Sequence, residues 1–317
     1  MKLTKIPAPD FDLAMTLDSG QVFHWEKLDG GFIGTIGERA VYVEQWEEIL
    51  CVSRGREELV HNYFALDHPL AKICASFPND PVINAALGYC RGLRIIRQPK
   101  WECLATFICS SMKQVAHIRQ ISQALRKRFG GARMIENGAS RNQTTWTDKQ
   151  ARVDEPGGES ESIKRAVYTF PSAQQLARAS EQELRKCALG YRAKNLFATA
   201  QLVTSGAADL DAWSALSDPD LREKLSALPG VGAKVANCVM LFAYERLRAF
   251  PVDVWIERVL RQEYFPRRKK IAAEQLRTFS QTYFGDHGGY AQQYLFHHAR
   301  MIKNTKARAP RTAAAKR

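Results

Sequence analysis

Lys234 and Asp253 have the types and spacing of a nucleophile and an electrostatic partner, and a glycine hairpin stands just ahead of them. The hairpin is Leu228-Pro229-Gly230-Val231-Gly232. Leu221, Leu225 and Leu228 recur at helical spacing, Pro229 stops that helix, and the glycines permit the positive backbone angles of a tight turn. A second helix is expected from about Ala233 to Tyr244, along the apolar Val235, Val239 and Phe242. Helices joined in this way present free backbone N–H groups at a helix N-terminus, where Gly230 and Gly232 could hold a phosphate. Lys234 falls in the first turn of the second helix. The positive end of the helix dipole disfavours an ammonium there and makes the free amine, a nucleophile, more available. Asp253 follows nineteen positions later (253 − 234 = 19) and precedes Val254, Trp255, Ile256 and Val259, so it reads as the N-cap of another helix. A surface lysine and a plain capping aspartate explain each residue alone; the combination with the hairpin favours chemistry.

Further residues fit around that pair. Cys238 and Leu241 share a helix face with Lys234, which puts the thiol beside the amine. Tyr290 to His297 reads as a helix carrying Gln292 and Phe296 one turn apart on one face. Core packing accounts for Cys238 and Phe296, but a buried amide such as Gln292 needs partners. Gly20 lies in Ser19-Gly20-Gln21-Val22-Phe23-His24-Trp25, Tyr191 and Arg192 follow Gly190, and Trp101 to Gln114 is apolar on most faces, as expected of a buried helix.

Taken together, L-P-G-V-G-A-K followed by P-V-D resembles the helix–hairpin–helix DNA glycosylase superfamily. S-G-Q-V-F-H-W, E-C-L-A-T-F-I-C-S-S and G-Y-R narrow the resemblance to the eukaryotic-type 8-oxoguanine DNA glycosylases. It spans roughly residues 11–302, apart from one insertion. The resemblance implies a bifunctional glycosylase and lyase in which Lys234 attacks a nucleotide's sugar and Asp253 assists. It implies that the Gly20 carbonyl accepts the ring N–H that oxidation gives guanine, an atom that in guanine itself is an acceptor. Gln292 would bond the base's pairing edge, and Cys238 and Phe296 would sandwich its ring. Tyr191 would wedge into the stack beside the opposite base, with Arg192 contacting that base. Two departures stand out. Met112-Lys113-Gln114 replaces an asparagine run, one member of which fills the hole left by the extruded base. His117 stands where the family often has an arginine that reads the orphaned cytosine. Rival readings are a glycosylase for alkylated bases on the same fold and a non-catalytic helix–hairpin–helix DNA-binding protein. The second would need the hairpin but neither Lys234, Asp253 nor a base pocket.

Composition agrees with a nucleic-acid partner. Lys and Arg outnumber Asp and Glu by 46 to 33, and the formal charge of +13 suits a polyanion, either nucleic acid or an acidic membrane. No apolar run reaches membrane-spanning length and the first residues lack a signal-peptide core, so an intracellular, DNA-associated monomer is expected. The seven cysteines are odd in number and scattered through apolar segments, which favours reduced thiols. None lies beyond Cys238, which removes the C-terminal cluster with which several relatives hold an iron–sulfur centre; no metal or cofactor is expected.

A length of 317 residues allows about two domains. The expected fold is α+β: an antiparallel, TBP-like sheet domain over residues 1–96, then a mainly helical glycosylase domain over 97–303. The runs Val22 to Trp25, Gly31 to Ile36, Ala40 to Val43 and Ile49 to Val52 read as strands, with a hairpin turn at Asp29-Gly30-Gly31. Helices are expected at about 57–65 and 82–91. Residues 130–165 are rich in Gly, Ser, Thr and charge and read as a flexible insertion. Residues 304–317 read as a basic, disordered tail making phosphate contacts.

Overall fold

The computed structural model describes residues 2–136, 164–268 and 270–308. Near the N-terminus, β1 (Leu3–Pro7), β2 (Glu26–Leu28), β3 (Gly31–Ile36), β4 (Arg39–Trp46) and β5 (Ile49–Ser53) form one antiparallel sheet in the order β1-β5-β4-β3-β2. Leu28 pairs with Gly31, so Asp29-Gly30 is a two-residue turn, with Asp29 at φ 51°. Alternation gives the sheet two buried faces. Val41 and Val43 join Leu50, Val52, Val60 and Phe64 in one core, whereas Tyr42 between them packs with Ile33, Ile135 and Val167 on the other face.

Ile135 and Val167 belong to β6 (Ala132–Glu136) and β7 (Lys164–Tyr168), an antiparallel pair lying at the ends of the expected insertion. Those ends are therefore ordered, because they cover the second face of the sheet; residues 137–163 lie outside the described residues. Val22 to Trp25 is not a strand. Its side chains point to different neighbours instead of alternating across a ladder. Val22 enters the sheet core, Phe23 meets Phe107 edge-on at 6.4 Å, His24 Nε2 bonds the Thr35 carbonyl at 2.8 Å, and Trp25 lies on Gly34. Sequence patterning also passed over β1 and α1 (Leu13–Asp18), whose cap is Asp12.

The remainder is helical: α2 (Glu57–Tyr63), α3 (Leu70–Ala75), α4 (Pro81–Tyr89), α5 (Lys100–Ser110), α6 (Val115–Phe129), α7 (Ala173–Arg178), α8 (Glu181–Leu184), α9 (Arg192–Thr204), α10 (Asp218–Ser226), α11 (Ala233–Ala243), α12 (Val254–Val259), α13 (Ala273–Tyr283) and α14 (Gly288–Arg308). The nearly all-buried α5 runs through the middle, against α6, α9 and α11. Leu70, Ile73, Ile83 and Ala86 of α3 and α4 join this larger core although they precede residue 97, so the two cores interleave along the sequence. The buried helix expected from Trp101 to Gln114 breaks at Ser111, where the backbone turns extended before α6 begins. At the other end, α14 continues five residues into the expected tail (304–308), and 309–317 lie outside the described residues.

Candidate active site

Ser217 caps α10, and Leu221, Leu225 and Leu228 bury its inner face up to the hairpin. The two hairpin glycines differ in why they are glycines. Gly230 sits at φ 80°, and a Cβ there would press on the Asn195 side chain at 2.8 Å, so the fold demands it. Thr199 Oγ1 donates to the Pro229 carbonyl at 3.1 Å and ties this turn to α9. Gly232 is extended and exposed, and among the described residues nothing lies within 4 Å of where a Cβ would stand. Its openness leaves room for something outside the chain to approach the N–H groups that begin α11.

Lys234 stands in the first turn of α11, half-buried. Its Nζ donates to Ser110 Oγ at 3.3 Å and lies 4.9 Å from the centre of the Phe107 ring, both on α5. One turn on, burial pushes the Cys238 thiol up to about 11 although Lys234 pulls it down. Cys238 is thus a neutral, weakly polar wall and no rival nucleophile. Asp253 caps α12, accepting from the backbone N–H of Trp255 at 3.0 Å and of Ile256 at 2.9 Å. Burial raises its carboxyl, while those donors and the nearby Lys234 cation oppose the rise. Lys234 in the first turn of α11 is thus close enough to lower the Asp253 carboxyl at the cap of α12.

Gly20 lies at φ 87° in a loop pinned on both sides. Gln21 uses its whole amide, donating to Ser19 Oγ and the Arg94 carbonyl, each at 2.8 Å, and accepting from the Ile96 N–H at 2.8 Å. The Ser19 carbonyl accepts from Gln293 Nε2 of α14 at 2.8 Å. A Cβ on Gly20 would touch the Phe296 ring edge at 3.0 Å, so the glycine lets this loop sit directly against Phe296. Gln292 lies one turn before Phe296. It is buried, and its Oε1 has no hydrogen-bond partner among the described residues, in contrast to the satisfied Gln293 beside it. A buried orphan acceptor is costly and calls for a ligand donor. Helices α11 and α14 meet where Gly289 abuts Leu241; a Cβ there would collide with Leu241 and come within 2.9 Å of the Ala249 carbonyl.

Known proteins can now be set beside this geometry. Residues 4–104 match the 8-oxoguanine DNA glycosylase N-terminal domain family, and residues 106–282 match the HhH-GPD superfamily of base excision DNA repair proteins. This chain belongs to that superfamily, in its 8-oxoguanine glycosylase branch. A probable N-glycosylase/DNA lyase of Methanothermobacter thermautotrophicus is 28% identical over 316 residues, covering 93% of this chain and 96% of the relative. The N-glycosylase/DNA lyase OGG1 of Arabidopsis thaliana is 27% identical, covering 92% of this chain and 78% of the relative. The 8-oxoguanine glycosylase/lyase of Clostridium acetobutylicum, solved with double-stranded DNA bearing cytosine opposite 8-oxoguanine, superposes with a TM-score of 0.79. It is 26% identical, and the match covers 96% of this chain and 99% of that one.

Within this glycosylase fold the G-Y-R turn is arranged differently from expectation. Tyr191 is exposed, and its hydroxyl lies 3.9 Å from Met112 Sδ. Arg192 is buried and does not reach outward. Its Nε donates to the Ser111 carbonyl at 2.8 Å, joined there by Nη2, and Nη1 donates to the Leu189 carbonyl at 3.3 Å. The guanidinium closes the end of α5 and lies 4.4 Å from the centre of the Tyr191 ring. His117 is exposed on α6. Met112, which the resemblance marks only as a departure, is 92% exposed at φ 54°. Ser110, which holds Lys234, and Arg300, which lies against Gly20, went unremarked in the sequence because neither contact is local.

Proposed function

We propose that this chain is a bifunctional DNA glycosylase and lyase that removes 8-oxoguanine from duplex DNA. The reading is carried by Lys234 in the first turn of α11, close enough to lower the Asp253 carboxyl at the cap of α12, behind an open glycine hairpin, and is supported by the family and by the relatives named above. The Lys234 amine would bond to the sugar C1′ as the bond from C1′ to the base breaks and the base leaves with the electron pair. Opening of the sugar then gives a Schiff base on Nζ, and loss of a C2′ proton expels the 3′ phosphate. Asp253 would stabilise the positive charge that builds on the sugar. Gly20, Gln292, Phe296 and Cys238 would hold the extruded base, with Gly230 and Gly232 on a phosphate and Tyr191 and His117 toward the opposite strand.

The chain would act as a monomer. The net charge of +13 suits a DNA partner, and the place of action would be inside the cell, on DNA. Among the described residues no helix is long and apolar enough to cross a membrane. The test is excision, under single turnover, from duplexes that differ only in the damaged base. Release of 8-oxoguanine with strand cleavage, and none of 3-methyladenine, is expected. Preferential release of the alkylated base would replace this reading with its same-fold rival, and release of neither would leave a DNA-binding protein.

A further inference from the structure

Arg300 stands three turns into α14, in line with Gln292 and Phe296. It is 8% exposed, an expensive place for a guanidinium. Its Nη2 is fixed: it donates to the Asp18 carbonyl, lies 3.4 Å from Asp18 Oδ2, and is 3.5 Å from His297 Nδ1. The other end of the fork is free. Nη1 is buried and has no hydrogen-bond partner among the described residues. It points at Gly20, since a Cβ on that glycine would lie 2.9 Å from it, and the guanidinium carbon is 5.6 Å from the centre of the Phe296 ring. A held charge with one idle, buried donor is what a built recognition group looks like before its ligand arrives.

Oxidation of guanine at C8 alters two adjacent positions. The ring nitrogen N7 becomes an N–H donor, and C8 gains a carbonyl oxygen where guanine has only C–H. We propose that Arg300 is a specificity-determining residue that donates from Nη1 to this C8 oxygen, next to the N–H that the Gly20 carbonyl accepts. Acceptor and donor would then stand side by side, complementary to the oxidised edge and mismatched with guanine on both atoms. The inference rests on Gly20, Gln292 and Phe296 being the base site. It extends the recognised class to purines carrying a C8 carbonyl and makes the oxygen itself a reading point.

The test uses the full chain and two variants, Arg300→Met and Arg300→Lys, on two duplexes: one with 8-oxoguanine, one with a preformed abasic site. Loss of a hydrogen bond from a charged donor should slow excision of 8-oxoguanine by about 10- to 100-fold in Arg300→Met. Lys cannot hold Asp18 and the base with one fork and should rescue little. Cleavage at the abasic site, which offers no base to read, should stay within about 2-fold. An equal fall on both duplexes would make Arg300 a mere anchor for the Asp18–Gly20 loop and overturn the proposal, as would no fall on either. A second measurement needs no Arg300 variant for its first result: DNA affinity of Lys234→Gln for duplexes with 8-oxoguanine or 8-thioguanine, whose sulfur keeps the ring N–H but accepts poorly. The oxygen should be preferred about 10-fold, and adding Arg300→Met should remove the preference. Equal affinity for oxygen and sulfur would overturn the proposal. Absence of 8-oxoguanine excision by the wild-type chain would refute the glycosylase reading on which this inference rests, whereas absence of abasic-site cleavage alone would refute only the lyase step.

Discussion

Gly20 and Met112 both take positive φ, 87° and 54°, and each has an aromatic side chain at hand, yet their surroundings are opposite. Gly20 is held by buried hydrogen bonds from Gln21 and Gln293 and faces the idle Arg300 Nη1, while Gln292 Oε1, also without a partner among the described residues, lies on the same helix. Met112 projects into solvent beside Tyr191, with the grip of Arg192 on the preceding carbonyl and the Lys113 N–H donating to the Ser110 carbonyl at 3.1 Å as polar ties nearby. A buried surface whose atoms lack partners can discriminate strongly, because a wrong ligand leaves the desolvation cost unmet. An exposed apolar wedge can displace a base pair but has few means of telling one base from another. On the proposed assignment, the difference would concentrate selectivity on the damaged base and slacken it on the base opposite.

The harshest break lies between these two sides, at the chemistry they share. Lys234→Gln should lower single-turnover excision more than about 1,000-fold, with DNA affinity changed only a few-fold. Asp253→Asn should cost about 100- to 1,000-fold in the same assay, because its contribution belongs to the transition state. Since Asn also caps helices well, the melting temperature should hardly move. Burial raises the Asp253 carboxyl, so as pH falls it takes its proton earlier than an ordinary aspartate of pKa about 3.9. The acid limb of the wild-type rate profile should therefore lie above that value and be missing from Asp253→Asn.

The next effects separate the two positive-φ sites. Gly20→Ala places a Cβ 2.9 Å from Arg300 Nη1 and 3.0 Å from the Phe296 ring in a conformation that suits glycine. It should lower stability by about 1–2 kcal/mol and depress excision of 8-oxoguanine far more than cleavage at an abasic site. His117→Arg should sharpen the preference for cytosine over adenine opposite the lesion, by up to about 1–3 kcal/mol if the fork engages cytosine fully. Single-turnover rates on duplexes differing only in that base measure it; a wild type already as selective as the variant would show that another residue reads the cytosine. The smallest effect is expected from Met112→Gly, which relieves φ strain and should leave stability unchanged or raise it by up to about 1 kcal/mol in thermal unfolding. A clear loss would mean that the exposed side chain is held after all.

Local spacing made the chemistry readable. Hairpin glycines, the first-turn lysine and the capping aspartate are all defined within a few residues of each other or by the start of a helix, and the structure has Lys234 in the first turn of α11 and Asp253 at the cap of α12. Gln292 and Phe296 were readable because a single helix face carries both. What escaped depends on contacts between distant segments. The ribbon β6–β7 is polar in composition and gains its order from Tyr42 and Ile33, about a hundred residues away. β1 has few buried side chains and is defined by pairing with β5. Arg192 occurs in a motif that suggests an outward contact, but the break after Ser110 offers it carbonyls to close, and burial follows. Arg300 looks like any solvated arginine until Asp18 and Gly20 are brought to it.

Covalent trapping reaches the central claim most directly. The chain is incubated with duplex DNA carrying 8-oxoguanine in the presence of borohydride, and any protein–DNA adduct is digested and its attachment site found by mass spectrometry. A reduced Schiff base on Lys234, absent from Lys234→Gln, is the predicted result. An adduct mapped to another amine, or base release with no adduct at all, would contradict the account.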